Sequence, residues 1–598
     1  MADYQAPLRD MGFVLKHVVD LGAVAALDGY GHAEGEVVEA VLGEAARLAS
    51  AVMAPLNRTG DQQGSKLENG VVRTPDGFKE AYRQFTSGGW GAVSFPEEWG
   101  GGGMPWLVGM AVQEMFSAAN MAFFLCPLLN QGAVELIEAH GTPAQKATWL
   151  PKMVSGAWSG TMNLTEPQAG SDVGALRTKA VRQADGSYRI TGTKIFITYG
   201  EHDLTENIVH LVLARTPDAP SGSRGVSCFI VPKYRVNEDG SLGARNDLRC
   251  VSLEHKLGIH ASPTCVMSFG DEGGAVGYLI GEENRGLRCM FTMMNVARLS
   301  VGFEGLAIAE RAFQQAVNYA RERRQGKPLG AAAPDAAIIA HADVRRMLML
   351  MKSQIEAMRA LLYLNAEAID YARRHADAQV RARYQGLVEL LTPVSKAWAT
   401  DLGVELASLG VQVHGGMGFI EETGAAQHWR DSRIAPIYEG TNGIQALDLV
   451  LRKLPLEGGE VVGGFLADMR ALGQALAGEG DADLAAIGQG LASALEDFAA
   501  TTTWLQEAAA RDANEAAAGA SAYLRLFGIT AGGYMLARGA AAAAKLRAGG
   551  ENDPFLAAKI AIARFYAEQV LPQTRGLSGP IMRGAATLFA IAPDLLIA

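Results

Sequence analysis

A block of short strand-like runs interrupts a chain whose other segments carry a helical pattern of apolar residues. Between residues 157 and 288, runs that alternate in polarity or are rich in β-branched residues cover 188–198, 208–215, 226–232 and 265–269. Turn-forming clusters such as Asp185-Gly186 separate these runs, and no long helical pattern lies between them. Several short strands in this arrangement predict an antiparallel β domain.

The segments on both sides of this block are predicted to be helical. Apolar residues recur every three or four positions over 34–54, and Pro55 should close that helix because proline cannot donate to the helical ladder. Further helical patterns cover 75–88 and 106–138. The long patterns after the β block indicate a helical bundle, and they cover 291–324, 336–375 and 380–409.

This order divides the 598-residue chain into four expected domains of an α+β protein. They are an N-terminal helical domain with an extension (1–156), a middle antiparallel β domain (157–288), a four-helix bundle (289–455) and an extra helical domain (456–598). The stretch 455–464 is predicted to be a hinge between the last two domains.

Composition and charge exclude several classes of protein. With 49% hydrophobic and 20% charged residues the chain is globular, and its net charge of −11 disfavours binding to nucleic acids or anionic lipids. Five cysteines without a Cys-x-x-Cys pair indicate reduced, buried thiols and no metal site. The apolar run 584–598 contains Pro593 and Asp594 and is too short to span a bilayer. We therefore expect a cytoplasmic protein without a membrane span.

The familiar nucleotide-binding and hydrolase motifs are absent from the sequence, but segment 165–172 carries candidate chemistry. The Gly100–Gly103 run lacks the spacing of a Rossmann turn or a P-loop. Segment 165–172 follows a strand and offers the Thr165 hydroxyl and several backbone N–H groups in one turn. Such a turn suits an anion or the edge of a polar ring. An ordinary β-turn is an equally good interpretation of this segment alone.

Segment 192–198 offers an aromatic plane beside a hydroxyl. Because alternate residues of a strand share a face, Phe196 and Thr198 should project together. This pair suits a flat heteroaromatic cofactor, and core packing explains it as well.

Segment 437–445 places a carboxyl group among apolar residues. Glu439 follows Ile437 and Tyr438, and apolar surroundings raise the pKa of a carboxyl and make it a stronger base. The nearby Gly415-Gly416 pair allows a ligand to approach the backbone closely. Alternatively, Glu439 only starts a helix.

Taken together and in this order, the three segments resemble the acyl-CoA dehydrogenase flavoproteins over residues 35–450. The extra C-terminal region, the opening 4–15 stretch and the 293–298 segment resemble the larger members, which include 3-methylmercaptopropionyl-CoA dehydrogenases and broad-range fatty acyl-CoA dehydrogenases of β-oxidation. The resemblance implies the acyl-CoA dehydrogenase fold, FAD as cofactor and an acyl-CoA thioester as substrate.

The resemblance also implies a catalytic base. Glu439 would remove the α-proton of the acyl group while the β-hydrogen leaves as hydride to the flavin, which gives a trans-2-enoyl-CoA. Some members carry the base on the first long helix after the β domain, one residue before an arginine. That position is Ala297 here, which cannot titrate, so Glu439 is the expected base.

The remaining site residues are implied by the same motifs. Arg323, Gln412, Gly415 and Gly416 would contact the FAD of a partner subunit, and Phe196 stands where tryptophan is commoner. The run 323–327 is one residue shorter than the usual motif, and Gly443 replaces a common glutamine. The expected FAD contacts are Met162, Leu164, Thr165, Gly170, Ser171, Phe196, Ile197, Thr198, Arg323, Gln325, Gln412, Gly415, Gly416 and Thr441. The expected substrate contacts are Ser171, Asn295, Arg298, Tyr438 and Gly440.

Two assignments of partners follow, with alternatives. We expect a homodimer that passes electrons to an electron-transfer flavoprotein, and the alternative is an acyl-CoA oxidase that uses dioxygen. A DNA-associated, non-catalytic relative is a further alternative. The region from residue 456 onward carries 10 basic and 15 acidic residues, which disfavours binding to phosphates.

Overall fold

The computed structural model describes residues 4–330 and 336–597. Residues 1–3 of the expected N-terminal domain and residue 598 of the expected C-terminal domain lie outside the described residues. Helices dominate both ends of the chain and one larger sheet lies between them, which confirms the predicted α+β class.

Among the residues that the structure describes, seven α-helices precede the main sheet. They are α1 (Leu8–Phe13), α2 (Leu21–Ala25), α3 (Gly35–Leu48), α4 (Ala54–Gln63), α5 (Phe78–Ser87), α6 (Trp106–His140) and α7 (Pro143–Val154). The expected end of a helix at Pro55 is wrong. The chain passes from α3 through a π-helical turn, Ala49–Met53, into α4. Pro55 lies in the first turn of α4, directly after the π-helical turn.

The main sheet has eight strands and its neighbours run in the order β10-β11-β5-β12-β7-β6-β3, with β4 paired to β5. One pair, β3 with β6, is parallel, so the sheet is mixed rather than wholly antiparallel. The strands of the described residues are β1 (Lys66–Glu68), β2 (Val71–Arg73), β3 (Trp158–Asn163), β4 (Lys179–Arg182), β5 (Tyr188–Thr198), β6 (Asn207–Ala214), β7 (Ser227–Pro232), β8 (Tyr234–Val236), β9 (Leu242–Arg245), β10 (Leu248–Leu253), β11 (Thr264–Phe269) and β12 (Ala275–Ile280).

Ten α-helices follow the sheet within the described part of the chain, which omits residues 331–335 and 598. They are α8 (Gly286–Glu322), α9 (Ala342–Arg374), α10 (Ala378–His414), α11 (Ala425–Ser432), α12 (Asn442–Asp448), α13 (Glu460–Ala477), α14 (Ala482–Arg511), α15 (Ala513–Ala548), α16 (Pro554–Gln569) and α17 (Gln573–Ile581). The predicted hinge is shorter than expected, because Gly463 and Gly464 already lie in α13. Before α13, Glu457, Gly458 and Gly459 adopt left-handed conformations that break the helix.

The chain divides into two compact units, each described by itself. The bundle unit contains Met1–Gly43, Pro105–Glu114 and Val301–Ala598, and the sheet unit contains Glu44–Met104 and Met115–Ser300. In the sheet unit, buried residues such as Ile190, Phe229 and Met267 form a continuous core. In the bundle unit, α8 and α10 pack closely through glycines. A Cβ at Gly305 would lie 2.3 Å from the carbonyl oxygen of Ala399.

Helix α6 alone among the described helices is long and apolar enough to cross a membrane, and its most apolar window is entirely buried, which is typical of a core helix. Asn120 interrupts it with φ −159° and ψ 88°. The Asn120 side chain accepts a hydrogen bond from the Phe123 N–H at 3.1 Å, as an N-cap residue does. A second helical segment therefore begins after Asn120, and it contains Pro127, which lacks an N–H to donate.

Candidate active site

Glu439 lies in a turn that holds it in an unusual backbone conformation. Its φ is 58°, in the left-handed region, and Gly440 follows with φ 86°. A non-glycine residue in that region costs about 1–3 kcal/mol and persists only where the surrounding structure imposes it. The Glu439 side chain is partly buried. Helix α12 begins three residues later with Thr441 as its N-cap, so Glu439 does not start the helix itself.

Helix α10 anchors this turn through Lys396. The side chain of Lys396 is fully buried, and its Nζ donates to the Gly440 carbonyl at 2.9 Å and to Asn442 Oδ1 at 2.8 Å. Asn442 in turn donates to Asp401 Oδ1 at 2.7 Å. Burial raises the pKa of Asp401, although the hydrogen bond from Asn442 opposes this. These contacts fix the residues that directly follow Glu439.

A second carboxyl group lies beneath the turn. Glu304 of α8 is 1% exposed, and its Oε2 accepts a hydrogen bond from the Tyr438 hydroxyl. Burial raises the pKa of Glu304 to about 8. The nearby negative charge of Glu439 adds to the increase, while the Tyr438 hydrogen bond and the Lys396 ammonium oppose it. The turn is thus held from α10 by Lys396 and from α8 by Glu304.

In the sheet unit, the Thr165 turn is fixed by a buried ion pair. Lys194 Nζ lies 2.8 Å from Glu166 Oε1 and 3.0 Å from the carbonyl oxygen of Leu164. Burial alone would raise the pKa of Glu166, but Lys194 and the hydrogen bonds from Thr178 and the Arg177 N–H lower it to about 2. Burial lowers the pKa of Lys194 to about 8, and Glu166 offsets this only in part.

The Thr165 turn and the end of β5 are neighbours. The Ile195 N–H donates to the Thr165 carbonyl at 3.0 Å. Phe196 has φ 59° and is 59% exposed, whereas Ile197 is buried and Thr198 is half-buried. Phe196 and Thr198 are therefore the more exposed residues on either side of a buried one. Met162 at the end of β3 is buried, Leu164 is half-buried, and Gly170 and Ser171 are exposed.

In the bundle unit, the ends of α8 and α10 meet. The rings of Tyr319 and His414 stack with centroids 4.5 Å apart, so Arg323 lies close in the chain to one partner and Gln412 to the other. Arg323, Gln325, Gln412, Gly415 and Gly416 are all exposed. The first two share a hydrogen bond of 3.4 Å.

Two expected substrate contacts form a pair on α8 in the sheet unit. Arg298 is buried, and its Nη1 donates to Asn295 Oδ1 at 3.4 Å. The Arg298 guanidinium also lies 5.9 Å from the centre of the Phe291 ring. Of the nearby methionines, Met290 and Met293 are fully buried, which is the exposure expected of core residues.

The exposed residues suit a flavin dinucleotide. In the sheet unit, Phe196 offers an aromatic face, and a Cβ built at Gly170 meets no atom within 4 Å. In the bundle unit, Gly415 and Gly416 are equally open, and the Arg323 guanidinium supplies positive charge for phosphates. The hydroxyl of Thr441 accepts from the Ile444 N–H at 3.3 Å as an N-cap, a structural role that the sequence analysis did not assign.

The sequence analysis gave no role to four residues that position the site. Glu166 and Lys194 fix the Thr165 turn, and Glu304 and Lys396 fix the Glu439 turn. For Lys194, Glu304 and Lys396 the only signal in the sequence is a charged residue inside a run that is otherwise apolar or strand-like. Glu166 lies in the polar turn 165–172, where no pattern sets it apart.

Two negative findings limit other interpretations. Within residues 4–330 and 336–597 there is no cluster of three His, Cys, Asp or Glu side chains that could hold a metal ion. A cleft of about 520 Å³ in the bundle unit contains none of the expected site residues, and it is lined by Leu350, Gln354, Val404, Glu405, Leu406, Ser408, Leu409, Trp429, Arg525 and Gln573.

Comparison with protein families gives four matches in sequence order. The models are the acyl-CoA dehydrogenase N-terminal domain (36–157), its middle domain (161–271), its C-terminal domain (284–454) and the acetyl-CoA dehydrogenase C-terminal like domain (465–592).

Individual relatives match over nearly the whole chain. The 3-methylmercaptopropionyl-CoA dehydrogenase of Ruegeria pomeroyi is 51% identical over 570 residues, which cover 95% of this chain and 96% of that protein. The broad-specificity linear acyl-CoA dehydrogenase FadE5 of Mycobacterium tuberculosis is 34% identical, with 96% of each covered. An acyl-CoA dehydrogenase from Bacillus anthracis, solved in complex with FAD, superposes with a TM-score of 0.75 at 19% identity and covers 94% of this chain and 90% of its own.

Proposed function

The chain belongs to the acyl-CoA dehydrogenase family, and from this premise we propose that Glu439 is the base in its reaction. The protein is an oxidoreductase, an acyl-CoA dehydrogenase with FAD as cofactor. Under the proposal, Glu439 takes the α-proton of an acyl-CoA thioester, and the product is the trans-2-enoyl-CoA. The observation that carries the proposal is the left-handed conformation of Glu439 in a turn held from two helices.

The chain's own residues have distinct tasks in this proposal. The fixed turn orients the Glu439 carboxylate, and the backbone N–H of Glu439 would donate to the thioester oxygen as negative charge develops there. Arg298 and Asn295 orient the CoA portion, together with Ser171, Tyr438 and Gly440.

The residues proposed to hold FAD fall into two groups. Thr165, Thr198 and Phe196 would contact the flavin ring, together with Met162, Leu164, Ile197 and Thr441, while Gly170 and Ser171 would hold the pyrophosphate. Arg323, Gln325, Gln412, Gly415 and Gly416 would reach the FAD of a second subunit. When bound, FAD accepts the two electrons that leave the β-carbon of the substrate.

We propose 3-methylmercaptopropionyl-CoA as the preferred substrate, supported by the relative that is 51% identical over 95% of the chain. Steady-state assays of the FAD-loaded enzyme should give a higher kcat/KM for this thioester than for butyryl-CoA and for longer linear acyl-CoAs. A higher kcat/KM for a linear acyl-CoA would contradict the substrate and leave the reaction class intact.

The electron acceptor and the assembly are also proposals. We propose an electron-transfer flavoprotein as acceptor, and flavin reduced under anaerobic conditions should then reoxidise slowly on mixing with air. Fast reoxidation by dioxygen would favour the oxidase alternative.

We propose a homodimer, because exposed residues such as Arg323 and Gln412 would complete the FAD site of a second subunit. A tetramer or a monomer in analytical ultracentrifugation would contradict this. The four domains, 1–156, 157–288, 289–455 and 456–598, are proposed on the same resemblance.

The test of the base is a single substitution with a matched control. Glu439→Gln keeps the shape of the side chain and removes its basicity, so the purified variant should retain FAD and lose about 100-fold to 10,000-fold in kcat. Glu422→Gln changes an exposed glutamate of the same unit and should keep the kcat of the unsubstituted enzyme. Equal turnover by Glu439→Gln and Glu422→Gln would refute the assignment.

A further inference from the structure

Glu304 is a buried carboxyl group that the proposed reaction does not use. It lies on α8 at 1% exposure, 134 residues before the hydroxyl group that binds it. Its Oε2 accepts from Tyr438, the residue directly before Glu439. Its Oε1 is also buried and has no hydrogen-bond partner among the residues that the structure describes.

The surroundings of Glu304 do not favour a negative charge. A buried carboxylate is stable only when several donors or a dedicated cation compensate the loss of water. Glu304 has one neutral donor, and the nearby Lys396 directs its Nζ to the Gly440 carbonyl and to Asn442. The negative charge of Glu439 acts against a second charge beside it.

Charged and titratable groups from each neighbouring element enter this balance. The turn contributes Tyr438 and Glu439, and α10 contributes Lys396. Asp401, also on α10, accepts a hydrogen bond from the Asn442 side-chain amide. From α9, Tyr363 packs against Phe303 but donates its hydroxyl to Glu114 rather than to Glu304.

We propose that Glu304 is a positioning residue for Glu439: it stays uncharged, holds Tyr438 and leaves Glu439 as the ionised carboxyl of the pair. Its hydrogen bond to Tyr438 ties the residue before Glu439 to α8. Lys396 ties the residue after Glu439 to α10. The inference rests on the proposed role of Glu439 as base. It adds a second carboxyl whose protonation state the reaction depends on.

The proposal has a specific pH signature. The pKa of Glu304 is raised to about 8, so the group is protonated at neutral pH and loses its proton as the pH rises through that value. The new negative charge beside Glu439 then opposes the negative charge that develops on the substrate. We therefore expect kcat/KM of the FAD-loaded enzyme to have an inflection near pH 8 that Glu304→Gln, which cannot ionise, lacks.

A second variant moves the inflection instead of removing it. The Tyr438 hydrogen bond lowers the pKa of Glu304, so Tyr438→Phe should shift the inflection to higher pH. Glu304→Leu removes the acceptor for Tyr438 and should lower kcat about 10-fold to 100-fold at neutral pH. Glu304→Gln keeps an acceptor oxygen and should restore most of that loss. Glu422→Gln should retain the ordinary profile.

The outcomes separate this inference from the proposed function. Superimposable pH profiles for the unsubstituted enzyme and Glu304→Gln, or full activity of Glu304→Leu, would overturn it. Turnover by Glu439→Gln would instead refute the role of Glu439. If Glu304→Leu or Glu304→Gln does not fold, infrared difference spectroscopy of the unsubstituted holoenzyme still measures the protonation of Glu304. The unsubstituted holoenzyme should have a protonated-carboxyl band at neutral pH that disappears with a midpoint near pH 8. In Tyr438→Phe this midpoint should lie at a higher pH. A band that titrates at the ordinary value of 4.5 would overturn the inference.

Discussion

Two neighbouring glutamates in this protein have different environments, and the difference comes from their contacts. Glu439 is partly open and lies on a strained turn, whereas Glu304 is buried and bound by one hydroxyl. A carboxyl with few donors is easiest to bury when it is protonated. The same physical rule acts in the opposite direction at Glu166, which has an ammonium and three donors from residues 177 and 178.

The raised pKa of Glu304 predicts how stability depends on pH. The folded state binds this proton up to about pH 8, whereas the unfolded chain releases it near the ordinary value of 4.5. The unsubstituted protein should therefore lose up to about 1.4 kcal/mol per pH unit across that window relative to Glu304→Gln. Urea unfolding of both proteins at several pH values measures this. A stability difference that is constant with pH would contradict the prediction.

Lys194 is predicted to matter for both folding and cofactor binding. Lys194→Met leaves the Glu166 carboxylate buried without its cation and should cost about 3 kcal/mol in the free energy of unfolding. The pKa of Glu166 is lowered to about 2, so the stabilisation is present above its ordinary value of 4.5 and is lost as the pH falls toward 2. The affinity for FAD should fall with it. Lys179→Met, at an exposed site on β4, is the control and should change neither the stability nor the FAD titration.

At the scale of elements, contiguous motifs were predictable and long-range contacts were not. The strand at 188–198 was predicted at its observed bounds because polarity and branching repeat along it. Glu439 stands out because Tyr438, Glu439 and Gly440 are adjacent in the chain. Glu304 does not, because its partner is 134 residues away and no local period marks a buried carboxyl. At Pro55 the sequence could not distinguish a helix that ends from one that begins.

The packing of α8 on α10 is predicted to depend on a glycine. A Cβ at Gly305 would lie 2.3 Å from the Ala399 carbonyl oxygen, and that oxygen belongs to backbone that cannot rotate away. Gly305→Ala should therefore separate the two helices, cost about 1–3 kcal/mol and displace the neighbouring Glu304. Thermal unfolding and kcat measure the two effects. Gly463→Ala, where a Cβ meets no atom within 4 Å, is the matched control. Unchanged stability of Gly305→Ala would show that the helices adapt.

At the scale of the molecule, a buried charge network joins distant parts of the chain within the bundle unit. Arg359 of α9 is fully buried and binds Asp10 of α1, Glu114 of α6 and Glu310 of α8. Lys559 of α16 binds the same Asp10 and also Glu356, at 2.7 Å. The opening segment and the extra C-terminal helices are thus tied to the bundle by paired charges, which no local sequence pattern reveals.

This network predicts a large loss on substitution of its central cation. Arg359→Met leaves three buried carboxylates short of positive charge and should cost about 3–5 kcal/mol. Denaturant unfolding measures the loss, and the exposed Arg470→Met should change stability by less than about 0.5 kcal/mol. Equal stability of the two variants would mean that the network contributes no net stabilisation.

Anaerobic single-turnover reduction of the bound flavin tests whether Glu439 removes the α-proton. Mixing the FAD-loaded enzyme with 3-methylmercaptopropionyl-CoA should bleach the flavin, and deuterium at the α-carbon should slow the bleaching. Glu439→Gln should bind the thioester and keep its flavin oxidised. Bleaching of the Glu439→Gln flavin at the rate of the unsubstituted enzyme would contradict the account.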